Sequence, residues 1–490
     1  MNPLPTTLPN HPPSFARLAN FSAAALVSTL LAACAVGPTY VPPAAPTVSA
    51  WQAPLPHGGD LGSLANWWSR WNDATLQSLM SAAQGNNPTL TQAAERIKQA
   101  RAGLVSANAS GLPSVSGGVT VNSGSSVGSA GGSVSSSVAT SLSSTVQAAW
   151  ELDLFGANRR TREAAAARLS ARNIDWHQAR VSLAAEVASA YVNLRVNEAL
   201  ASGYERDVES RQDTARLTAL KTNAGFEAPA NAALATASAS EAAARLIAQR
   251  AEISLGVKAL VALTGLGEAE LRAALAAGRA RLPVPANLSV PGVPATVLAQ
   301  RPDLAAAERE LAALTADIGA AEADRYPRIS LSGSVGLSLS RLAGMSSDSS
   351  SWGFGPSLSV PLFDAGRRSA NVEASKARYG ESLAGYRAIA IRAVREVEEA
   401  LTLLQSAEAR APDVQAALNG YQAFEKAALA RLAAGAGSVL ERQEARRTVL
   451  AAEVAVLALE RERLNAWISL YRAVGGGWDQ GQMMISEKTQ

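Results

Sequence analysis

The feature that most constrains this chain is that its plan is written twice. Asn87-Pro88-Thr89-Leu90 matches Arg301-Pro302-Asp303-Leu304, Leu112-Pro113 matches Tyr326-Pro327, and LFGANRR from Leu154 matches LFDAGRR from Leu362. AEVASAYVNL from Ala185 matches REVEEALTLL from Arg395, Gly225 matches Gly435, and Gly265 matches Gly475, at an offset that stays between 208 and 214. A period this long is a duplicated unit, not a solenoid repeat. The first unit covers residues 73–265 and the second 294–476, with 266–293 between them and a tail at 477–490.

Each unit predicts the same order: helix, strand, strand, long helix, helix. The opening helix runs from near Asp73 to Ser110, and again from near Pro294 to Arg325, stopping before a proline each time. The long helix starts after an Arg-Arg pair, near Thr161 and near Ser369; at roughly 60 residues and 1.5 Å per residue it would be ~90 Å long. A glycine-containing turn leads to a last helix, and the first and last helices end to end nearly equal the long one. Leu450, Val454, Leu457, Leu464, Ile468 and Tyr471 form a heptad seam on the last helix, and Val187, Tyr191 and Leu194 one on the long helix. Narrow seams with polar remaining faces suit helices packed side by side around something wet.

The strands are expected near 114–122, 134–152, 329–340 and 352–362, with the glycine-serine stretch SGSSVGSAGGS as the loop between the first two. In ISLSGSVGLSL, residues Ile329, Leu331, Val335, Leu337 and Leu339 occupy odd positions, and serine or glycine every even one. Side chains alternate across a strand, so every large group here leaves on one side. That side covers a soluble core or faces lipid, and no other segment offers a matching apolar face to cover it. The strands are near the ten or so residues a tilted membrane strand needs, and aromatics mark the ends of the second and fourth. Four strands cannot close a conducting barrel, and open edges are not tolerated in lipid. Two copies would give a filled eight-stranded barrel and three a twelve-stranded one with a lumen, so a homotrimer is the smallest assembly that conducts. The predicted fold class is therefore mainly α with a membrane β-barrel contribution.

The N-terminus carries an address. The apolar run FSAAALVSTLLAAC, from Phe21, is short for a membrane span and suits a secretory signal peptide over residues 1–33. Leu31-Ala32-Ala33-Cys34 resembles the bacterial lipobox, whose cysteine is acylated, and Ala35 in place of aspartate implies sorting to the outer membrane by resemblance to bacterial lipoproteins. Residues 34–72 would be the lipidated segment.

Composition excludes much else. With one cysteine and three histidines, a disulfide framework, a zinc site and a Cys/His catalytic pair are poorly provided for. His177 reads as a partly buried helix-face residue. The net charge of +3 comes from arginines scattered among glutamates in helical tracts, which gives nucleic-acid binding no support. No catalytic residue, cofactor or metal site is predicted.

Several motifs together resemble the outer-membrane efflux protein family of Gram-negative bacteria, the TolC-like proteins, and within it the NodT-type lipoprotein branch. They are Cys34 followed by Gly37-Pro38-Thr39-Tyr40, Trp71-Asn72-Asp73, NNPTL, AQRPDLAAAERE, YPRISL and GPSLSVPLFDAGRR. The resemblance implies a trimeric twelve-stranded barrel continued by an α-helical barrel through the periplasm. It also implies two partners, a periplasmic adaptor and an inner-membrane pump, with export of small molecules as the function. Residues 266–293, the segment around Trp51 to Trp71 and the tail after Gly477 would form a belt around the tunnel. The hairpin tips, Thr222 to Phe226 with Gly225 and Ala433 to Ser438 with Gly435, would dock the adaptor. SVLERQEARR resembles the family's gate segment, which assigns Leu440, Glu444 and Arg447 to the gate; glutamate stands where the family commonly has aspartate. In NAGFEAPANAAL a proline stands where the family usually continues helix. An exit duct for protein secretion is the neighbouring alternative. A periplasmic adaptor lipoprotein is the alternative of another class, though a lipoyl-like module and a single hairpin are missing.

Overall fold

The computed structural model describes residues 36–43, 67–130, 133–285, 301–342 and 345–478. The signal peptide, Cys34, most of the 34–72 segment, residues 286–293 and the tail after Trp478 lie outside the described residues.

A 3-10 helix, Trp67–Trp71, precedes α1 (Ala74–Asn86) and α2 (Pro88–Ala109). Strands β1 (Ser114–Ala130) and β2 (Ser133–Leu152), the long α3 (Ala157–Asn223) and α4 (Pro229–Thr264) complete the first repeat. A short α5 (Glu268–Ala276) lies between the repeats. The second repeat is α6 (Pro302–Ala323), β3 (Arg328–Leu342), β4 (Met345–Ser359), α7 (Arg367–Ala433) and α8 (Val439–Ala473).

Several expected boundaries are corrected. The first repeat opens with two helices, not one: Pro88 has no N–H to donate and pushes Asn87 into extended backbone at φ −71°, ψ 125°. The Asn87 side chain then accepts from the Thr89 amide at 2.8 Å and starts α2. Both long helices have 67 residues, ~100 Å at 1.5 Å per residue, and begin at or before the Arg-Arg pair instead of after it. Helix α7 continues through Pro412, which is exposed, so water can serve the carbonyl that the proline leaves unpaired. The glycine-serine stretch after Asn122 is strand as far as Ala130, because serines pair across the ladder as well as valines do. The fourth strand starts at Met345 and stops at Ser359, short of the expected 362, two residues before Pro361.

The chain divides into two compact units, each drawn from both repeats. The first holds the sheet, antiparallel throughout in the order β1-β2-β3-β4. Beside it, α3 and α6 meet through Ala164, Ala313 and Ala316, and Arg168 of α3 is ion-paired to Asp317 of α6. Gly37 packs on Gly319 so closely that any side chain would strike backbone, and Arg160 donates to the Val36 and Gly37 carbonyls at 3.4 and 3.3 Å.

The second unit holds the main core. Trp67 and Trp71 are fully buried; Trp67 lies 5.9 Å from Trp467 and 5.8 Å from Tyr471, ring centre to ring centre. The heptad residues Val187, Tyr191, Leu194, Leu464, Ile468 and Tyr471 all join this core, while Val454 and Leu457 are half-buried. Each fully buried apolar side chain contributes ~1.5–3 kcal/mol, so these narrow seams hold the long helices together. Asp73 caps α1 by accepting from the Leu76 amide at 3.0 Å, and accepts from the Tyr191 hydroxyl at 2.7 Å. Burial, and then that bond, push the Tyr191 phenol up to about 12.

Arg195 is completely buried. It donates to Glu198 at 2.9 Å and to the carbonyls of Leu275 and Ala277 at 2.9 and 2.7 Å, and its guanidinium lies 4.9 Å from the centre of the Tyr191 ring. The stretch between the repeats is thereby tied to α3, with Leu271 and Leu275 inside the core. Of the tail, Trp478 is buried with Ile174, Ala305 and Ala306.

Candidate functional site

The ladder registers decide which side chains share a face. Val146 stands opposite Val335, which stands opposite Trp352; Leu142 stands opposite Leu339, Trp150 opposite Leu331, and Val121 opposite Leu142. Cross-strand partners point the same way, so the odd residues of β1 and β3 and the even residues of β2 and β4 form one face. That face carries the large apolar side chains of the sheet except Leu342 and Met345, which pair at the end of the β3–β4 ladder on the other face. The opposite face carries serine, glycine and threonine, with Ser330 hydrogen-bonded to Ser357 and Ser340 to Ser347, both at 2.7 Å.

Nothing among the described residues covers the apolar face: Val335 and Leu337 are each 63% exposed and Trp352 is 84% exposed. From Ile329 to Leu339 the apolar run is ~34 Å along the strand at ~3.4 Å per residue, which a tilt near 45° turns into the ~25 Å height of a lipid-facing band. Toward the hairpin loops the same face turns polar, with Thr140 and Ser123 hydrogen-bonded at 3.1 Å and Asp348 and Ser350 following. The aromatics are placed differently from expectation. Trp150 does sit near the end of β2, donating to the Gly111 carbonyl at 3.1 Å, but the earlier start of β4 puts Trp352 and Phe354 at mid-strand. No helix among the described residues is long and apolar enough to cross a membrane.

The two hairpin turns are built alike. Gly225, at φ +79°, donates to Thr222 at 3.0 Å while Phe226 donates to Lys221 at 2.9 Å. Gly435, at φ +74°, donates to Leu432 at 3.1 Å while Ala436 donates to Arg431 at 2.9 Å. Both are Schellman closures, which need a left-handed residue and so favour glycine. The proline of the first turn does not interrupt a helix: Pro229 is at the first position of α4, where its missing N–H costs nothing. The second turn has instead a Ser438 cap that accepts from the Glu441 amide at 3.0 Å.

Around the second turn Glu444 and Arg447 form an ion pair at 3.1 Å with both side chains exposed, and Leu440, one turn earlier, is 71% exposed. An exposed pair of this spacing contributes only a few tenths of a kcal/mol to the helix, roughly 0.2–0.5. Sequence reasoning missed Arg431, which bridges the turn to Glu441 at 2.7 Å, and the half-buried Arg446–Glu425 pair at 3.5 Å. Both join residues of different helices, so helical spacing carries no signal for them.

A sheet with one bare apolar face and paired long hairpins is the architecture of known channels. The family model for outer membrane efflux proteins matches residues 79–266 and 293–476, which are the two repeats. Outer membrane protein OprJ of Pseudomonas aeruginosa is 31% identical over 470 residues, covering 94% of this chain and 97% of that protein. Nodulation protein T of Rhizobium leguminosarum bv. viciae is 30% identical over 460 residues, 93% of each chain. Among solved structures, the outer-membrane channel OprN superposes with a TM-score of 0.79 at 30% identity, covering 91% of this chain and all of that one. With both repeats matched and whole-length relatives in the outer membrane, the chain belongs to the outer membrane efflux protein family and is an outer-membrane protein.

Proposed function

We propose that this protein is the outer-membrane channel lipoprotein of a tripartite efflux system. It is anchored through acylated Cys34 and works as a homotrimer whose twelve-stranded barrel is continued by its helices. It exports small molecules delivered by an inner-membrane pump and a periplasmic adaptor, and performs no catalysis of its own. The turns at Gly225 and Gly435 are its adaptor-docking tips, and Leu440, Glu444 and Arg447 form its gate. The observation that carries this reading is the two-faced sheet: a bare apolar face suits lipid, and a serine-glycine face suits a wet lumen.

The test compares the two phases of β3. An arginine facing lipid at mid-membrane costs ~2–4 kcal/mol and one facing water far less. Val335→Arg and Leu337→Arg should reduce the folded, heat-resistant trimer, whereas Ser334→Arg and Ser338→Arg should leave it intact and alter conductance. Equal loss from both pairs would sink the barrel reading. The gate assignment has its own readout: Glu444→Gln with Arg447→Ala should raise single-channel conductance in planar bilayers with no adaptor present, and unchanged conductance would reduce the pair to a surface contact.

A further inference from the structure

A polar cavity of about 380 Å³ lies inside the first compact unit, where the sheet ends and the helices begin. The sheet contributes Glu151 and Arg328 to it, α6 its end at Asp324, and α3 its first turn with Asn158; α7 contributes the face that repeats as Asn371, Ser375 and Arg378. Glu151 stands opposite Ser330 and Arg328 opposite Ser359, so both belong to the serine-glycine face of the sheet. In the barrel proposed above that face looks onto the lumen, which makes the cavity a recess in the lumen wall.

The hydrogen-bonding capacity of this recess is lopsided. Its acidic groups are answered in place, since Arg328 is hydrogen-bonded to Asp324 and lies 4.0 Å from Glu151. Its donors are not answered. The side-chain amide nitrogen of Asn158 is buried and has no hydrogen-bond partner among the described residues, although native folds pair nearly all such groups. The side chains of Asn371, the buried Ser375 and Arg378 likewise take part in no hydrogen bond or ion pair among the described residues. These three follow one another at helical spacing, so they share one face of α7. One unanswered positive charge among neutral donors is the pattern that recognises an oxyanion: a carboxylate or phosphate accepts several hydrogen bonds at once, and a guanidinium gives it two in parallel.

We propose that this recess is a binding station for an oxyanion group, carried by an exported organic acid or present as free phosphate, and held by Arg378 with the amides of Asn158 and Asn371. The station rests on the channel reading given above. Its volume is at the small end of the ~300–1,000 Å³ range of ligand sites, enough for one small molecule. Arg378 is exposed, so water and salt compete for it and the hold is weak, as passage through a channel requires.

Planar-bilayer recordings of the purified full-length protein test the station, with sodium benzoate and inorganic phosphate as separate probes at constant chloride. Each probe should partly block the current. Arg378→Gln should raise the half-blocking concentration about tenfold, and Asn158→Ala and Asn371→Ala about threefold each without moving the reversal potential in a salt gradient. Glu151→Gln removes a nearby negative charge and should lower it about twofold. The amide nitrogen of Asn158 bonds nothing in the folded chain, so its loss leaves the fold intact. Stronger block by benzoate assigns the station to organic acids in transit, and equal or stronger block by phosphate assigns it to free phosphate. A wall charge that merely concentrates anions would shift the reversal potential in Arg378→Gln and leave both asparagine variants blocked as the parent is, and that result overturns the station. A parent that conducts and is blocked by neither probe also overturns it, with the channel reading left standing. A parent that carries no current overturns the channel and the station together.

Discussion

The two repeats place different chemistry at the same backbone positions. At the start of α2, Asn87 donates to the Leu263 carbonyl at the end of α4, at 2.9 Å. Its counterpart Arg301 donates to the Ala473 carbonyl at the end of α8, at 2.8 Å, and is also paired with Asp303 and with Glu396 at 2.9 Å. A neutral amide and a buried cation thus close the same helix end, the cation also favoured there by the helix dipole. Farther along the long helices, Asp207 and Arg211 form a buried ion pair at 2.9 Å, with Arg211 on Ser238 at 2.7 Å. The corresponding residues of the second repeat, Ala417, Tyr421 and Thr448, line an open apolar cleft instead. Duplication fixed where helices must meet and left each repeat free to settle how.

The largest test of that view is Arg195, which has no charged counterpart: Gln405 takes its place on α7 and is exposed. Arg195→Ala strands Glu198 and two carbonyls in the core, which should cost ~3–5 kcal/mol. Urea unfolding followed by helical circular dichroism should show this, and hydrogen exchange should rise first at residues 268–280. Gln405→Ala should change neither. A comparable loss at Gln405 would mean that the repeats share a load that the geometry assigns to one of them.

Next in size are the two helix-end contacts. Arg301→Ala leaves the Glu396 carboxylate without its buried partner and should cost ~2–4 kcal/mol, whereas Asn87→Ala removes a neutral bond and a cap worth ~1 kcal/mol. The same unfolding measurement reads both. Equal losses would show that the helix-end hydrogen bond matters and the added charges do not.

These contacts also mark how far the sequence could be read. The repeat, the strand phases and the seam residues Tyr191, Leu464 and Ile468 were legible because each repeats with the period of its own element. The helix break at Asn87 was present in the letters NNPTL, but it was outweighed by helical spacing on both sides. Arg195, Arg301 and the Arg431–Glu441 bridge were not legible. Their partners lie on other elements, and an arginine in a helix reads as a solvated one until the fold shows what is above it. The strand in the glycine-serine stretch was missed for a related reason: its ladder is sustained by backbone pairing, on which composition carries little information.

Where the repeats are alike, equal effects are expected. Gly225→Ala and Gly435→Ala each force a Cβ into left-handed backbone with open space around it, so the cost is conformational alone, ~1 kcal/mol at each turn. Hydrogen exchange at Phe226 and at Ala436 should accelerate by similar factors. A markedly larger effect at Gly435 would show that the Arg431–Glu441 bridge and the Ser438 cap depend on that closure, and the tips would no longer be equivalent.

The smallest expected effect concerns His177, whose counterpart Arg387 on α7 is exposed. The ring of His177 lies 5.0 Å from Trp176 and 6.4 Å from Trp478, centre to centre, and its Nδ1 has no hydrogen-bond partner among the described residues. Burial, and then the nearby Arg180, hold its pKa below the ordinary 6.5. The folded state therefore binds this proton less readily than the unfolded chain does. Its contribution to stability is fully present above about pH 6.5 and is lost as the pH falls from there to the lowered folded value. His177→Gln should leave the melting temperature at pH 8 within about 1 °C of the parent and flatten the decline as the pH falls below 6.5. Arg387→Gln, at an exposed position of α7, should not change that slope. A parent slope retained in the His177 variant would show that burial of this imidazole does not set the acid sensitivity.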